Sequence, residues 1–98
     1  MTIKEDLYLP TLKSITDAAN RVEEVVTKTP LMRSFTYSKK YEAEVFLKRE
    51  DLQQVRSYKI RGAYNKMSCL SDGEKEAGIV CTSAGNHAQG VAFACNKL

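Results

Sequence analysis

The chain has 98 residues, enough for one small domain, and its 43% hydrophobic and 28% charged residues are typical of a globular protein. Its net charge of +3 is modest, and basic residues are interspersed with acidic ones, which argues against a nucleic-acid-binding face. No stretch approaches the ~20 apolar residues of a membrane span. The N-terminal MTIKEDLYLP lacks the apolar region of a secretory signal and, being partly acidic, is not typical of a transit peptide. We therefore expect neither a nucleic acid nor a membrane as partner.

The three cysteines, Cys69, Cys81 and Cys95, are widely spaced and form no C-x-x-C pair. An odd number of cysteines without a signal peptide predicts reduced, mostly buried thiols in a cytoplasmic protein. A zinc site needs more ligands at closer spacing than these cysteines and one histidine provide. We therefore expect no metal.

The first half of the chain predicts a helix followed by extended segments. Apolar residues recur at helical spacing over residues 11–27, namely Leu12, Ile15, Ala19, Val22, Val25 and Val26. This helix should stop before Pro30, because proline disfavours helical geometry at the preceding residue. TPLMRS is then expected to be extended, SFTYSKKY to form a short turn or helix, and residues 43–50 to form a strand.

The second half alternates helices with one short apolar strand. A helix is predicted from about Ser57 to Leu70, and an S-x-x-E capping box at residues 71–74 begins another that ends at Gly78. IVCT (residues 79–82) is typical of a strand buried in a parallel sheet, and NHAQGVAFACNKL predicts a final helix. This order predicts an α/β fold, a three-layer sandwich with a parallel sheet. No Gly or Pro ends the last pattern before Leu98, so we expect the N-terminal part of a longer protein.

The stretch VRSYKIRGAY (residues 55–64) contains a candidate reactive lysine. If Ser57 is the N-cap, Lys59 lies in the first helical turn, where exposed N–H groups carry the positive end of the helix dipole. An amine that reacts with an aldehyde must lose its proton, and the dipole and the nearby Arg61 both favour that loss. Tyr58 offers a flat surface that suits a planar ring. The alternative is an ordinary, solvated helix start.

The stretch TSAGNHAQG (residues 82–90) leads from the predicted strand into a helix. Such a turn presents free backbone N–H groups and suits a carboxylate or phosphate, and Gly85 allows close approach of a ligand. The side chains of Ser83 and Asn86 can hydrogen-bond a ligand there. Alternatively, Ser83 or Asn86 only caps the helix and His87 is structural. Neither the P-loop motif nor G-x-G-x-x-G is present.

Together, KRED, SYKIRGAYN and TSAGNHAQGVA resemble, in this order, the N-terminal region of threonine dehydratase (threonine ammonia-lyase). That family belongs to the fold-type II pyridoxal-phosphate enzymes, the superfamily of tryptophan synthase β and serine racemase. The resemblance runs from about Ile15 to Leu98. It implies that residues 1–50 belong to the large domain of the catalytic unit and residues 51–98 to the start of the small domain. It also implies a homo-oligomer.

The resemblance implies a role for each residue of the two motifs. Lys59 is similar to the lysine that forms a Schiff base with pyridoxal 5'-phosphate and then moves protons, and Tyr58 to an aromatic residue beside the cofactor ring. Asn86 is similar to the residue that hydrogen-bonds the cofactor's phenolic oxygen, and Ser83 to a serine that transfers protons. The loop that receives the substrate carboxylate corresponds to Ser83, Ala84, Gly85, Asn86, His87 and Gln89.

The implied reaction is the β-elimination of L-threonine, and of L-serine, to 2-oxobutyrate or pyruvate and ammonia, as in isoleucine biosynthesis. The family's phosphate-binding loop and its partner for the pyridine nitrogen come later in the sequence, so we expect the 98-residue chain alone to be inactive. Two alternatives stay open: a serine racemase or serine dehydratase of the same fold, and a non-catalytic ligand-binding or oligomerisation module.

Overall fold

The structure, a computed structural model, describes residues 8–98. It contains five helices, two strands and a 3-10 turn: α1 (Leu12–Val22), β1 (Leu31–Arg33), α2 (Phe35–Tyr41), β2 (Phe46–Lys48), the 3-10 turn Glu50–Leu52, α3 (Lys59–Ser68), α4 (Asp72–Ala77) and α5 (Asn86–Lys97). Within this range no helix is long and apolar enough to cross a membrane. The prediction about a signal or transit peptide concerns mainly residues 1–7, which lie outside the described residues.

Helix α1 is shorter than the sequence predicts. It begins at a capping box in which Thr11 and Ser14 each accept a hydrogen bond from the other's backbone N–H. It ends at Val22, whereas the predicted helix reached residue 27. The carboxamide of Gln53 accepts a hydrogen bond from the N–H of Thr27 and donates one to its carbonyl, which removes both backbone groups from any helical ladder.

Strands β1 and β2 form a two-stranded antiparallel sheet in which Met32 lies opposite Leu47. The predicted extended segment contains β1, and the strand predicted over residues 43–50 is confirmed only over Phe46–Lys48. The short helix between the two strands is α2. Ser34 caps α2 by accepting a hydrogen bond from the N–H of Tyr37.

The parallel sheet predicted from residues 79–82 is wrong for the described residues. These residues form no strand, and Val80 is 97% exposed where the pattern predicted a buried side chain. A strand exists only through hydrogen bonds to a neighbour, and no segment within residues 8–98 pairs with this one. The described part of the chain therefore contains an α/β arrangement with one small antiparallel sheet, and the three-layer sandwich is not formed in it.

The core lies between α3 and α5, both of which the sequence predicts. Its buried side chains form one hydrophobic cluster: Val55, Ile60, Ala63, Met67, Val91 and Ala94. Helix α1 packs beside α3, where Arg21 donates a hydrogen bond to the Asn65 side chain at 2.7 Å. The predicted Ser71–Glu74 capping box of α4 is present, and Gly78 ends that helix with a φ of 88°.

The three thiols are free, as predicted, but the prediction that they are mostly buried is wrong, because Cys69, Cys81 and Cys95 are all exposed. Cys81 lies in the segment without a strand partner, and the other two lie on helix or turn surfaces that face away from the core. Large apolar side chains are exposed as well, on α1, on the two strands and on α2, including Leu12, Leu31 and Phe35. Exposed apolar surface of this kind favours association.

Candidate active site

Lys59 is the first residue of α3. The N-cap is Tyr58, and the prediction that Ser57 occupies that position is off by one residue. The buried Ser57 still assists the helix start, because its Oγ accepts a long hydrogen bond of 3.4 Å from the Lys59 N–H. The Nζ of Lys59 lies 5.2 Å from the centre of the Tyr58 ring. Lys59 therefore lies in the first helical turn, as predicted, with an aromatic ring beside its amine.

Gly90 of α5 packs directly against the backbone of Lys59. A Cβ built on Gly90 would lie 3.1 Å from the carbonyl carbon and oxygen of Lys59 and 3.2 Å from the nitrogen of Ile60. Such contacts are tighter than side chains normally accept, so only glycine allows α5 to approach this closely. Gly90 was not predicted as a site residue, although a glycine inside a helical pattern often has a packing reason.

A cavity of about 510 Å³ opens beside Lys59. This volume lies within the range of about 300–1,000 Å³ that is usual for small-molecule sites. Tyr58, Lys59 and His87 line its polar side, and its remaining walls are mostly apolar: Ala63, Met67, Leu70, Ile79, Val80, Cys81 and Val91, together with Arg61, Gly62 and Lys66. The structure thus brings the amine, the aromatic ring and the histidine of the two motifs to one cavity.

The rest of the second motif does not line this cavity. Ser83, Ala84, Gly85, Asn86 and Gln89 are exposed, in the turn before α5 or in its first turn. The Ser83 hydroxyl accepts hydrogen bonds from the N–H groups of Gly85 and Ala88, at 3.2 and 3.3 Å. Ser83 therefore caps α5, which is the alternative that the sequence left open for this residue.

A carboxylate that the sequence analysis did not identify lies close to the start of α3. Glu50 forms an ion pair with Arg61, two residues after Lys59, and also accepts a hydrogen bond from the Thr29 hydroxyl at 2.5 Å. Hydrogen bonding by Arg61, then by Thr29 and Gln53, outweighs partial burial and lowers the pKa of Glu50 from 4.5 to about 2. The charge of Arg61 is thus compensated. Glu50 is part of the KRED motif, but its partner is distant in sequence.

The residues around Lys59 fit part of the cofactor that the family resemblance implies. A primary amine beside a ring, at the edge of a mostly apolar cavity, suits an aromatic aldehyde. No glycine-rich phosphate loop occurs in the sequence. Residues 8–98 also contain no cluster of three or more His, Cys, Asp or Glu side chains that would hold a metal ion.

Comparison with solved structures places this arrangement in a known fold. The structure matches maize serine racemase with a TM-score of 0.82 and 36% identity, over 92% of this chain and 28% of that chain. It matches threonine deaminase isoform 2 from Solanum lycopersicum with a TM-score of 0.72 and 38% identity, over 90% of this chain and 26% of that one.

Sequence comparison also finds similarity to an enzyme that acts on threonine. The chain is 56% identical over 87 residues to the L-threonine dehydratase biosynthetic IlvA of Bacillus subtilis (strain 168), which covers 89% of this chain and 21% of the relative. The chain thus spans about a fifth of the length of that relative. Residues 22–98 match the family described as "Pyridoxal-phosphate dependent enzyme". Since this match covers most of the sequence, the chain belongs to the family of pyridoxal-phosphate dependent enzymes.

Proposed function

We propose that this chain supplies the cofactor-attachment lysine and the substrate-carboxylate loop of a threonine ammonia-lyase. The reaction is the β-elimination of L-threonine to 2-oxobutyrate and ammonia, and L-serine reacts in the same way to give pyruvate. The identity of 56% to a biosynthetic L-threonine dehydratase supports this assignment. The observation that carries it is the position of Lys59, whose amine lies beside the Tyr58 ring at the edge of the cavity.

Lys59 is the attachment point and the proton carrier in this proposal. Pyridoxal phosphate, when bound, supplies an aldehyde for the lysine amine and a ring that accepts electron density from the α-carbon of the amino acid. The Lys59 amine would also take the α-proton of the amino acid as a general base. The close contact of Gly90 with the Lys59 backbone limits movement of the residue that performs both tasks.

Tyr58 and Asn86 orient the cofactor ring in this proposal. Tyr58 is 60% exposed, so one face of its ring is available for packing against a planar group. Asn86 is the first residue of α5, and its carboxamide would donate a hydrogen bond to the phenolic oxygen of the cofactor. Tyr58 lines the cavity, and His87, the residue after Asn86, lines it as well.

The start of α5 binds the substrate carboxylate. The positive end of the α5 dipole and the N–H groups of its first turn attract an anion. Ser83 already accepts hydrogen bonds from two N–H groups, those of Gly85 and Ala88. The carboxylate is therefore assigned to the N–H groups of Asn86 and His87, with the Ser83 hydroxyl and Gln89 amide at its edge and Ala84 in the turn.

Reductive labelling tests the role of Lys59. The full protein that carries this chain is incubated with pyridoxal 5'-phosphate, reduced with borohydride, and mapped by peptide mass spectrometry. We expect the label on Lys59, and loss of both label and 2-oxobutyrate formation in Lys59→Ala. Lys66 is the matched control, because it lies about two turns further along α3 and lines the same cavity. Equal labelling of Lys66 and Lys59 would contradict the proposal.

Serine racemase is the second candidate function. The TM-score of 0.82 to the maize enzyme favours it, and that score exceeds the 0.72 to the tomato threonine deaminase. A racemase must deliver a proton to the α-carbon from the face opposite Lys59, which is the task for Ser83 in this alternative. Assays of 2-oxobutyrate from L-threonine and of D-serine from L-serine separate the two candidates. In a non-catalytic ligand-binding module neither product forms, and blocking Lys59 leaves ligand binding unchanged.

We also propose that the full protein is a homo-oligomer whose catalytic unit divides near residue 50. The exposed apolar side chains of α1 and the two strands support association, because burial of such surface is favourable. Light scattering of the full protein tests the oligomer, and a clean monomer at high concentration would contradict it.

A further inference from the structure

A partly buried polar network joins three separate segments, one of which is the start of α3. The carboxylate of Glu50 accepts hydrogen bonds from Nε and Nη2 of Arg61, the latter at 3.1 Å, from the Thr29 hydroxyl at 2.5 Å and from the Gln53 carboxamide at 3.2 Å. Thr29 is 4% exposed and Gln53 is 1% exposed. The carboxylate therefore has several hydrogen-bond partners, of which Arg61 is partly exposed, at 37% of its side chain.

Gln53 extends the network to the segment before β1. Its carboxamide accepts a hydrogen bond of 2.8 Å from the Thr27 N–H and donates one of 2.9 Å to the Thr27 carbonyl. The ammonium group of Lys48, at the end of β2, donates to the Thr29 carbonyl at 2.5 Å. These hydrogen bonds hold three segments together: residues 27–29, the end of β2 and the 3-10 turn. The carboxylate of Glu50 then joins them to α3, because it accepts hydrogen bonds from Arg61.

Arg61 connects this unit to the reactive lysine. Lys59 and Arg61 both belong to the first turn of α3, whose backbone at Lys59 and Ile60 is in close contact with Gly90 of α5. Ile60, between them, is 2% exposed and fixed in the core. The first turn of α3 is thus held from one side by the Glu50 pair and from another by the glycine contact.

We propose that Glu50 is a positioning residue for Lys59, acting through Arg61 to fix the first turn of α3 so that the lysine amine stays at the cavity. This inference rests on the proposed function, in which Lys59 attaches the cofactor. A displacement of about 1 Å at a reacting group can cost about a hundredfold in rate, so an anchor two residues away has a measurable effect on Lys59.

The neighbouring ion pair is a matched control for a purely structural contribution. Arg49 donates two hydrogen bonds to Asp51, at 2.9 and 2.7 Å, and these residues flank Glu50 in the sequence. The side chain of Asp51 is 58% exposed, and its pair with Arg49 spans only two residues. Neither residue lies on α3. Asp51→Asn thus removes a similar charge from the same 3-10 turn without touching the first turn of α3.

The test measures the rate at which Lys59 is labelled in the full protein, relative to Lys66, with pyridoxal 5'-phosphate and borohydride as the probe. The variants are Glu50→Gln, Arg61→Gln, the double variant and Asp51→Asn, each at a temperature well below its unfolding midpoint. We expect Glu50→Gln and Arg61→Gln each to lower the Lys59-to-Lys66 ratio by about tenfold or more. The double variant should lose no more than either single variant, because both substitutions break the same contact.

Several outcomes would overturn the inference. An unchanged ratio in Glu50→Gln, with only a lower unfolding midpoint, would make Glu50 a stabilising residue and nothing more. A ratio that falls equally in Asp51→Asn would assign the effect to loss of charge in the turn. A wild-type ratio near one would overturn the proposed function, and this inference with it.

A conservative variant keeps the test decisive if Glu50→Gln does not fold. Glu50→Asp keeps the charge but shortens the side chain by one methylene, which lengthens the contact with Arg61. We expect a ratio between those of the wild type and Arg61→Gln, and a ratio equal to that of the wild type would count against positioning by Glu50.

Discussion

The two motif-bearing regions of this molecule differ in how they are held. The first turn of α3, with Lys59, is fixed by the core, by Gly90 and by the Glu50 network, and Ile60 within it is 2% exposed. The segment over residues 79–85 forms no strand within the described chain, and Val80 is 97% exposed. The lysine position is therefore a property of the fold that residues 8–98 form, whereas the second motif is organised mainly by its own helix cap.

Substitution of the buried Ile60 and of the exposed Val80 should give the largest difference in stability between the two regions. Ile60→Ala removes a fully buried side chain between α3 and α5, and we expect it to lower the free energy of unfolding by about 2–5 kcal/mol. Val80→Ala removes an exposed side chain, and the expected change is within about 0.5 kcal/mol. Urea unfolding monitored by circular dichroism measures both. Comparable losses would show that residues 79–82 are packed in the protein in solution.

The glycine contact predicts opposite effects for two helical glycines. Gly90→Ala gains up to about 1 kcal/mol in helix propensity, but its Cβ meets the backbone of Lys59, and such overpacking costs about 1–3 kcal/mol. We expect a net loss of about 1 kcal/mol and weaker labelling of Lys59. Gly62→Ala is the matched control, because its Cβ meets nothing within 4 Å, and we expect a gain of about 0.5–1 kcal/mol. A gain at both positions in urea unfolding would contradict the close contact.

The Glu50 network should make stability depend on acid pH. The folded-state pKa of Glu50 is about 2, below its ordinary value of 4.5, because Arg61, Thr29 and Gln53 favour the charged form. Its contribution is therefore fully present above about pH 5 and is lost as the pH falls toward 2. Because solvent partly screens the charge of Arg61, we expect this contribution to the free energy of unfolding to be about 1–2 kcal/mol.

Unfolding free energies of the wild type and Glu50→Gln, measured from pH 6 to pH 2, check this prediction. The difference between the two proteins should shrink as the pH falls, since protonated Glu50 resembles the amide. A difference that stays constant with pH would show that this network does not stabilise the charged form of Glu50.

The sequence predicted what depends on neighbours along the chain. The helices over residues 59–68, 72–77 and 86–97 were predicted, the second of them from the Ser71–Glu74 capping box. The placement of Lys59 in a first turn follows from the predicted start of the helix before it. The two motifs, around Lys59 and around residues 82–90, were also found in the sequence. These features are encoded within a few residues, so no tertiary information is needed to find them.

The failures concern partners that are distant in sequence. Residues 79–82 have the composition of a strand, but composition does not say whether a neighbouring strand exists. Glu50 and Arg61 are eleven residues apart, and Gly90 and Lys59 are further apart still, so neither contact has a local signal. The exposed cysteines show the same limit, since a residue type that is usually buried lies at the surface here.

Ser83→Ala has a small expected effect on stability and distinguishes a capping role of Ser83 from a catalytic one. Its hydroxyl accepts hydrogen bonds from the N–H groups of Gly85 and Ala88, so Ser83→Ala should cost about 0.5–1 kcal/mol in urea unfolding. Ser83→Thr keeps the hydroxyl and is the control. If Ser83 only caps α5, Ser83→Ala leaves the labelling of Lys59 and the rate of 2-oxobutyrate formation within about twofold of the Thr variant. A far larger loss of turnover than of stability would instead assign the hydroxyl to proton transfer. The second motif would then take part in the reaction through Ser83, whose side chain is positioned by its hydrogen bonds to the start of α5.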